Sequence, residues 1–203
     1  MVETRRQQIE NAASVLFRER GYAATSVRDI AQVLNLQGAS LYAHVASKED
    51  LLWSIVERAA NRFEMAVAPI AAAESPAPQR LRAMVRAHVG VVTDDLGNAV
   101  SFLDEWRFLS PERRTEVASR RRQYEGRFRE VIAQGVQSGH FAPGTDPRLT
   151  ATWMLSALNG IAVWYSPDGD LTPDAIADRY ADLFLGGLTC PPDTQRPTRR
   201  TDP

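Results

Sequence analysis

The chain has 203 residues, 44% of them hydrophobic and 24% charged, enough to bury a core without disulfide or metal staples. Twenty-four basic against 25 acidic side chains leave a formal charge of −1, which excludes a protein that coats nucleic acid by charge alone but not a local DNA-reading surface. The lone cysteine, Cys190, excludes an internal disulfide framework. No apolar run nears the ~18 residues of a spanning helix and MVETRRQQIE has no signal-peptide core, so no membrane contact and a cytoplasmic address are expected.

In chain order the sequence reads as helix throughout, with no strand-like alternation and no internal repeat. Ile9, Ala12, Ala13, Leu16 and Phe17 recur on one helical face, and Gly21 closes that helix. Thr25 and Ser26 lead into Val27, Ile30, Ala31 and Leu34, with Ser26 and Asp29 spaced as a capping box. Asn35 marks a tight turn, where it tolerates left-handed backbone, and a short helix follows over 37–43. Ser47 caps a fourth helix, whose positive end carries Glu49 and Asp50. Its apolar stripe is Leu51, Leu52, Ile55, Val56 and Ala59, and Pro69 is expected to end or kink it near Ala68. Beyond the linker ESPAPQ at 74–79, five more helices are expected, near 77–93, 98–109, 111–138, 147–165 and 173–185. Ser110-Pro111 open the long one, Gly139 stops it, and Gly186-Gly187 end the last. Residues 191–203, with four prolines and three arginines, are expected to be disordered. The expected fold is all-α, of about nine helices.

Little in this pattern points to catalysis. His44, His88 and His140 lie far apart with no second ligand at metal spacing, and no GxSxG, P-loop or GxGxxG occurs. No enzyme activity, metal or cofactor is expected. Residues 26–43 are more informative: two short helices joined by a tight turn, with Ile30, Ala31, Leu36 and Leu41 facing inward. The outer face of the second helix then carries Gln37, Gly38, Ala39, Ser40, Tyr42 and Ala43, small or polar residues suited to close approach. A helix-turn-helix lays its second helix in the major groove, where Gln37 offers an acceptor and a donor to adenine. The same pattern also fits an ordinary helical corner.

The run TSVRDIAQVLNLQGASLYAHVASKEDLL resembles the DNA-binding domain of the TetR family of bacterial repressors. The matching features are Thr25-Ser26, Ile30-Ala31, Leu41-Tyr42, His44, and Lys48 with Leu51, and the likeness covers roughly residues 4–63. Asn35 replaces the usual glycine, Gln37 the usual Ser or Thr cap, and Val45 the usual Phe. The resemblance implies that Tyr42 and Lys48 bind phosphate, that Ser26 caps helix 2 beside the DNA backbone, and that Arg28 is a further phosphate contact. It also implies that His44 steadies the helix 3–helix 4 junction or touches phosphate. Six basic and six acidic residues within 1–50 make this a narrow positive rim, not a broad basic patch.

The resemblance divides the chain into a DNA-binding domain at 1–63, with its helix-turn-helix at about 26–44, a ligand-binding and dimerisation domain at 64–190, and the tail 191–203. A homodimer is expected on double-stranded operator DNA, through Trp153, Gly160, Trp164, Tyr180 and Phe184. Leu149, Trp153, Ala157, Gly160 and Trp164 fall on one side of their helix, and Thr152, Leu155, Asn159 and Val163 on another. All of them could instead pack within one chain. A ligand cavity is expected among His88, Val92, Phe102, Leu103, Trp106, Tyr124, Arg127, Phe128, Asn159 and Tyr165. One carboxylate within SFLDEWRFL is expected to be partly buried, facing Arg127 or a ligand. The stretch ERRTEVASRRRQYEGRFRE is either a solvated face or an anion site, with Arg120 and Arg127 two turns apart. The segment LNGIAVWYSPDGDLTPDAIADRYADLFLGGL is similar to regulators of fatty-acid and steroid-ring breakdown in that family, which implies a small apolar effector such as an acyl-CoA. A multidrug-sensing repressor, a helical protein-interaction module and an enzyme on a helical bundle are the alternatives.

Overall fold

A computed structural model describes residues 4–189, with the backbone alone for Gly38 and Ala39; Cys190 and the expected disordered tail lie outside the described residues. Helix α1 (Arg5–Arg20) starts at a capping box, in which the Thr4 hydroxyl accepts from the Gln7 amide and the Gln7 side chain accepts from the Thr4 amide. It buries Ile9, Ala13, Leu16 and Phe17 and ends at Gly21, whose φ of 81° suits glycine. The Ser26–Asp29 capping box opens α2 (Val27–Val33) as its spacing predicts. Asn35 turns left-handed at φ 52° and leads into α3 (Gly38–Tyr42). Ser47 caps α4 (Lys48–Ala71).

Four further helices follow on one chain path: α5 (Ala77–Asp94), α6 (Leu96–Leu103), α7 (Pro111–Gln137) and α8 (Pro147–Asn159). The short α9 (Ile161–Trp164) and then α10 (Pro173–Leu188) complete the described chain. All nine expected helices are present, two of them divided. The helix expected over 98–109 is α6 followed by a separate 3₁₀ turn, Glu105–Phe108, because the Arg121 guanidinium donates to the Phe102 and Leu103 carbonyls and ends α6 there. The helix expected over 147–165 divides at Gly160 into α8 and α9.

Two expected stops are overrun. Helix α4 continues past Pro69 to Ala71; Met65 and Pro69 are both exposed, so water can satisfy the carbonyl that proline frees in this last turn. Helix α10 runs through Gly186-Gly187 because Leu188 is buried and its carbonyl accepts from the Ala142 amide. Burying a leucine is worth about 1.5–3 kcal/mol, enough to offset about 1 kcal/mol per helical glycine.

One apolar core runs from α1 to α10. Helix α4 passes unbroken through residue 63, so the N-terminal and C-terminal halves share it. Helix α6 presses on α1 so closely that a Cβ on Gly97 would stand 2.9 Å from the Ser14 backbone. Beside this contact, buried Glu10 accepts from Arg6 and Arg58, and Arg58 also reaches Asn11 and Asn98. Helices α1, α4 and α6 are thereby tied at one point.

Candidate DNA-binding surface and ligand cavity

Ile30, Ala31 and Leu41 are buried under α2 and α3, while Gln37, Ser40, Tyr42 and Ala43 face outward. Gln37 occupies the N-cap of α3 but makes no side-chain capping bond, so its amide is free to read a partner. The side chains of Gly38 and Ala39 lie outside the described residues. A shallow notch beside α3 brings Ser26, Arg28, Tyr42 and Lys48 together. Arg28 and His44 are exposed, and Ser26 is engaged with Asp29. The notch thus combines two cations and two hydroxyls in one concave surface.

Lys48 is less free than a rim cation. Its ammonium donates to the Tyr22 carbonyl at 2.9 Å and the Thr25 carbonyl at 2.8 Å, and stands 4.0 Å from the Tyr22 ring centre. Burial lowers its pKa, with Glu105 opposing the shift. One of its three N–H groups remains for phosphate. Tyr22 in turn meets Phe17 edge-on and stacks on Phe108 from the 3₁₀ turn. Glu105 is the partly buried carboxylate that the sequence anticipates, but it faces Lys48 and the Tyr22 backbone amide, not Arg127. Burial raises its pKa.

A cavity of about 170 Å³ lies between the helices of the C-terminal half. Phe63 enters it from α4, His88 from α5, and Phe102 and Leu103 from α6. Arg121, Tyr124 and Glu125 come from α7, and Thr152, Leu155, Ser156 and Asn159 from α8. His88 is buried, and its Nδ1 lies 2.9 Å from the Tyr124 hydroxyl. Its pKa is pushed down to about 3 by burial, with Asn159 opposing. Burial also raises the Tyr124 pKa, so that hydroxyl stays protonated. His88 Nε2 makes no hydrogen bond of good geometry among the described residues, although the Asn159 side chain is near enough to oppose the shift.

Of the expected lining residues, His88, Phe102, Leu103, Tyr124 and Asn159 converge on this cavity. Phe128 does not line it: it is fully buried behind Tyr124, ring centres 5.6 Å apart. Arg127 is held away by an ion pair with Glu64. Trp106 lies within the 3₁₀ turn, with Arg121 5.6 Å from its ring. Val92 is core, and Tyr165 packs against the core. Arg120 pairs with Glu116 and Glu57, so the expected Arg120–Arg127 anion pair is already neutralised. The cation that does line the cavity is Arg121. Phe63 and Arg121 escape sequence reasoning because each sits inside a longer stripe or charge run. Thr152, Leu155 and Asn159 are separable from the sequence alone, on the helix side opposite Trp153.

Residues 9–55 match the bacterial regulatory proteins of the tetR family, and residues 74–188 match the tetracyclin repressor-like C-terminal domain. The chain belongs to the TetR family. Over 189 residues it is 29% identical to the HTH-type transcriptional repressor KstR2 of Mycobacterium tuberculosis, covering 93% of this chain and 94% of that one. The structure of that ketosteroid transcriptional regulator matches with a TM-score of 0.89 at 28% identity, over 94% and 98% of the two chains. PfmR from Thermus thermophilus matches at 35% identity and a TM-score of 0.81, over 90% and 99%. AibR in complex with isovaleryl coenzyme A and operator DNA matches at 30% and 0.80, over 91% and 100%. The protein is a ligand-responsive, DNA-binding transcriptional regulator, in a family of regulators and not of enzymes.

This TetR-family chain leaves several large apolar side chains uncovered on its last three helices. Leu149 and Trp153 on α8, Val163 and Trp164 on α9, and Leu183 on α10 are all exposed. Trp153 and Trp164 are the expected members of this surface; Leu149, Val163 and Leu183 add to it. Gly160 and Tyr180 are half-buried beside the surface. Phe184 is a correction: it is 2% exposed, packed within the chain against Trp153 and Tyr180, and contributes no free surface. Among the described residues no helix is long and apolar enough to cross a membrane.

Proposed function

We propose that the protein is a homodimeric repressor, released from a palindromic operator by a small apolar effector of the acyl-CoA class. The observation that carries the DNA half is the notch of Arg28, Tyr42 and Lys48 beside an α3 whose Gln37 makes no capping bond. Phosphate contacts from the notch position the domain, and Gln37 discriminates bases. Exposed Leu149, Trp153, Val163, Trp164 and Leu183 supply an apolar face of the kind that two copies bury against each other.

The effector half rests on the cavity and on what lies between it and the DNA-binding helices. Phe102 and Leu103 line the cavity, Gly97 on the same helix touches α1, and Glu105 just beyond faces Tyr22 and Lys48. Helix α6 and its 3₁₀ turn therefore join the cavity to α1 and to the entry of α2, and an effector that shifts them biases the dimer toward a geometry that fits DNA poorly. The relative AibR, solved with isovaleryl coenzyme A and operator DNA, supports the acyl-CoA class.

The test is selection of bound duplexes from a random pool, followed by binding at graded salt. A pseudo-palindrome bound less tightly as salt rises is the expected result. Tyr42→Ala should weaken binding to every sequence, and Gln37→Ala should relax preference at one base pair of each half-site. Binding indifferent to sequence and salt overturns the assignment. Acyl-CoAs added to the operator complex should release it and raise the melting temperature of the protein.

A further inference from the structure

The cavity says more about its ligand than that it is apolar. Its volume of about 170 Å³ is close to the ~150 Å³ that houses a single benzene in an engineered cavity. A steroid ring system or a long acyl chain exceeds that space. Phe63, Phe102 and Tyr124 wall it off from a neighbouring hollow lined by Arg120, Gln123 and Glu64, so a larger ligand has to displace aromatic rings.

The wall sets donors on His88, Tyr124 and Arg121 beside the Glu125 carboxylate and the Asn159 amide. The Tyr124 hydroxyl stays protonated and lies 2.9 Å from His88 Nδ1; with the hydroxyl as donor, that nitrogen accepts. A neutral imidazole accepting at Nδ1 carries its proton on Nε2. That Nε2–H belongs to a ring 1% exposed that lines the cavity, and it has no partner among the described residues. An unmet buried donor is costly, so a ligand acceptor placed there is favoured. Arg121, partly buried, lines the same cavity and makes no carboxylate salt bridge among the described residues. It adds positive potential that suits a carbonyl oxygen or a carboxylate.

We propose that the cavity selects a short, compact acyl group of about ten non-hydrogen atoms or fewer, with His88 Nε2–H donating to its carbonyl oxygen and Arg121 facing its polar end. This rests on the acyl-effector reading above and narrows it in size and in the atom recognised. The carbonyl comes either from a thioester or from a free acid.

The experiment is calorimetric titration of the full-length protein with coenzyme A thioesters carrying four-, five- and six-carbon acyl groups, with palmitoyl-CoA, and with the matching free acids. A thioether analogue, in which a CH₂ replaces the carbonyl, isolates the oxygen. Short thioesters should bind at least tenfold more tightly than palmitoyl-CoA and at least tenfold more tightly than the thioether. His88→Phe, checked for folding by circular dichroism, should lose the preference for thioester over thioether. Tyr124→Phe keeps both rings, frees the tautomer, and should reduce that preference; it also serves if the first variant does not fold. Free acids binding in place of thioesters keeps the recognition and assigns its source. Tighter palmitoyl-CoA binding, or a carbonyl preference unchanged in both variants, overturns this inference and leaves the acyl effector standing. Operator release by some other ligand, with no acyl compound binding, overturns both.

Discussion

Burial holds the His88 imidazole neutral, with its pKa pushed from 6.5 to about 3, while in the unfolded chain the ring takes a proton near its ordinary value. The unfolded state therefore binds more protons between these values. The stability owed to His88 is complete above about pH 6.5 and is lost as the pH falls toward about 3, by up to about 1.4 kcal/mol per unit. Urea denaturation from pH 7 to 4.5 should show this decline, and His88→Phe should flatten it; parallel profiles would mean that the folded ring accepts the proton. Asp29 and Asp50, whose pKa values hydrogen bonds depress, add their own acid sensitivity only below the usual carboxylate range, outside that window. The residues of the DNA notch differ in the same spirit. Lys48→Met removes two hydrogen bonds to carbonyls and should cost about 1 kcal/mol of stability as well as operator affinity. Tyr42→Phe removes only an exposed hydroxyl and should lower operator affinity with stability unchanged within about 0.5 kcal/mol, read from melting curves and band shifts.

At the scale of elements, α6 is wedged between α1 and the cavity. Gly97→Ala drives a methyl to 2.9 Å from Ser14 backbone, which cannot swing aside, and should destabilise by about 1–3 kcal/mol in urea. Gly90→Ala on α5 meets open space and should stabilise by about 0.5–1 kcal/mol, so the pair separates crowding from helix propensity. The elements legible in the sequence are those set locally. The Ser26–Asp29 box, the Ser47 cap and the left-handed Asn35 each depend on neighbours a few residues away. The break after Leu103 was not legible, because the group that ends α6 is Arg121, on another helix. The overrun of Gly186-Gly187 likewise depends on where Leu188 is buried. In the site, the resemblance implied a cavity, and of its expected ring-bearing lining Phe102, Tyr124 and His88 do line it while Trp106 and Phe128 do not. Which arginine of a dense run turns inward depends on which carboxylates of α4 claim the others, as Glu64 claims Arg127 and Glu57 helps hold Arg120.

The proposed function puts two joints in the whole molecule, one between copies and one within the chain. Leu183 on α10 is 72% exposed, so Leu183→Glu should yield a monomer in sedimentation and lose palindrome binding while keeping its melting transition. The joint within the chain is more informative. Glu105 follows the helix whose end lines the cavity, and its carboxylate faces the ammonium and amide that fix the entry to α2. A ligand that draws Arg121 away from the Phe102 and Leu103 carbonyls releases the end of α6, and Glu105 moves with it. Glu105→Gln keeps the shape and removes the charge that Lys48 and the Tyr22 amide attract. Lys48 still holds Tyr22 and Thr25 through their carbonyls, so operator affinity without effector should stay within a few-fold. Effector-driven release should weaken by about tenfold, which is about 1.4 kcal/mol of coupling free energy. Fluorescence anisotropy of labelled operator, titrated with effector, measures both quantities on one sample. Unchanged release in Glu105→Gln would move the coupling to the other contact of α6, where Gly97 meets Ser14 and Arg58 binds Glu10 and Asn98.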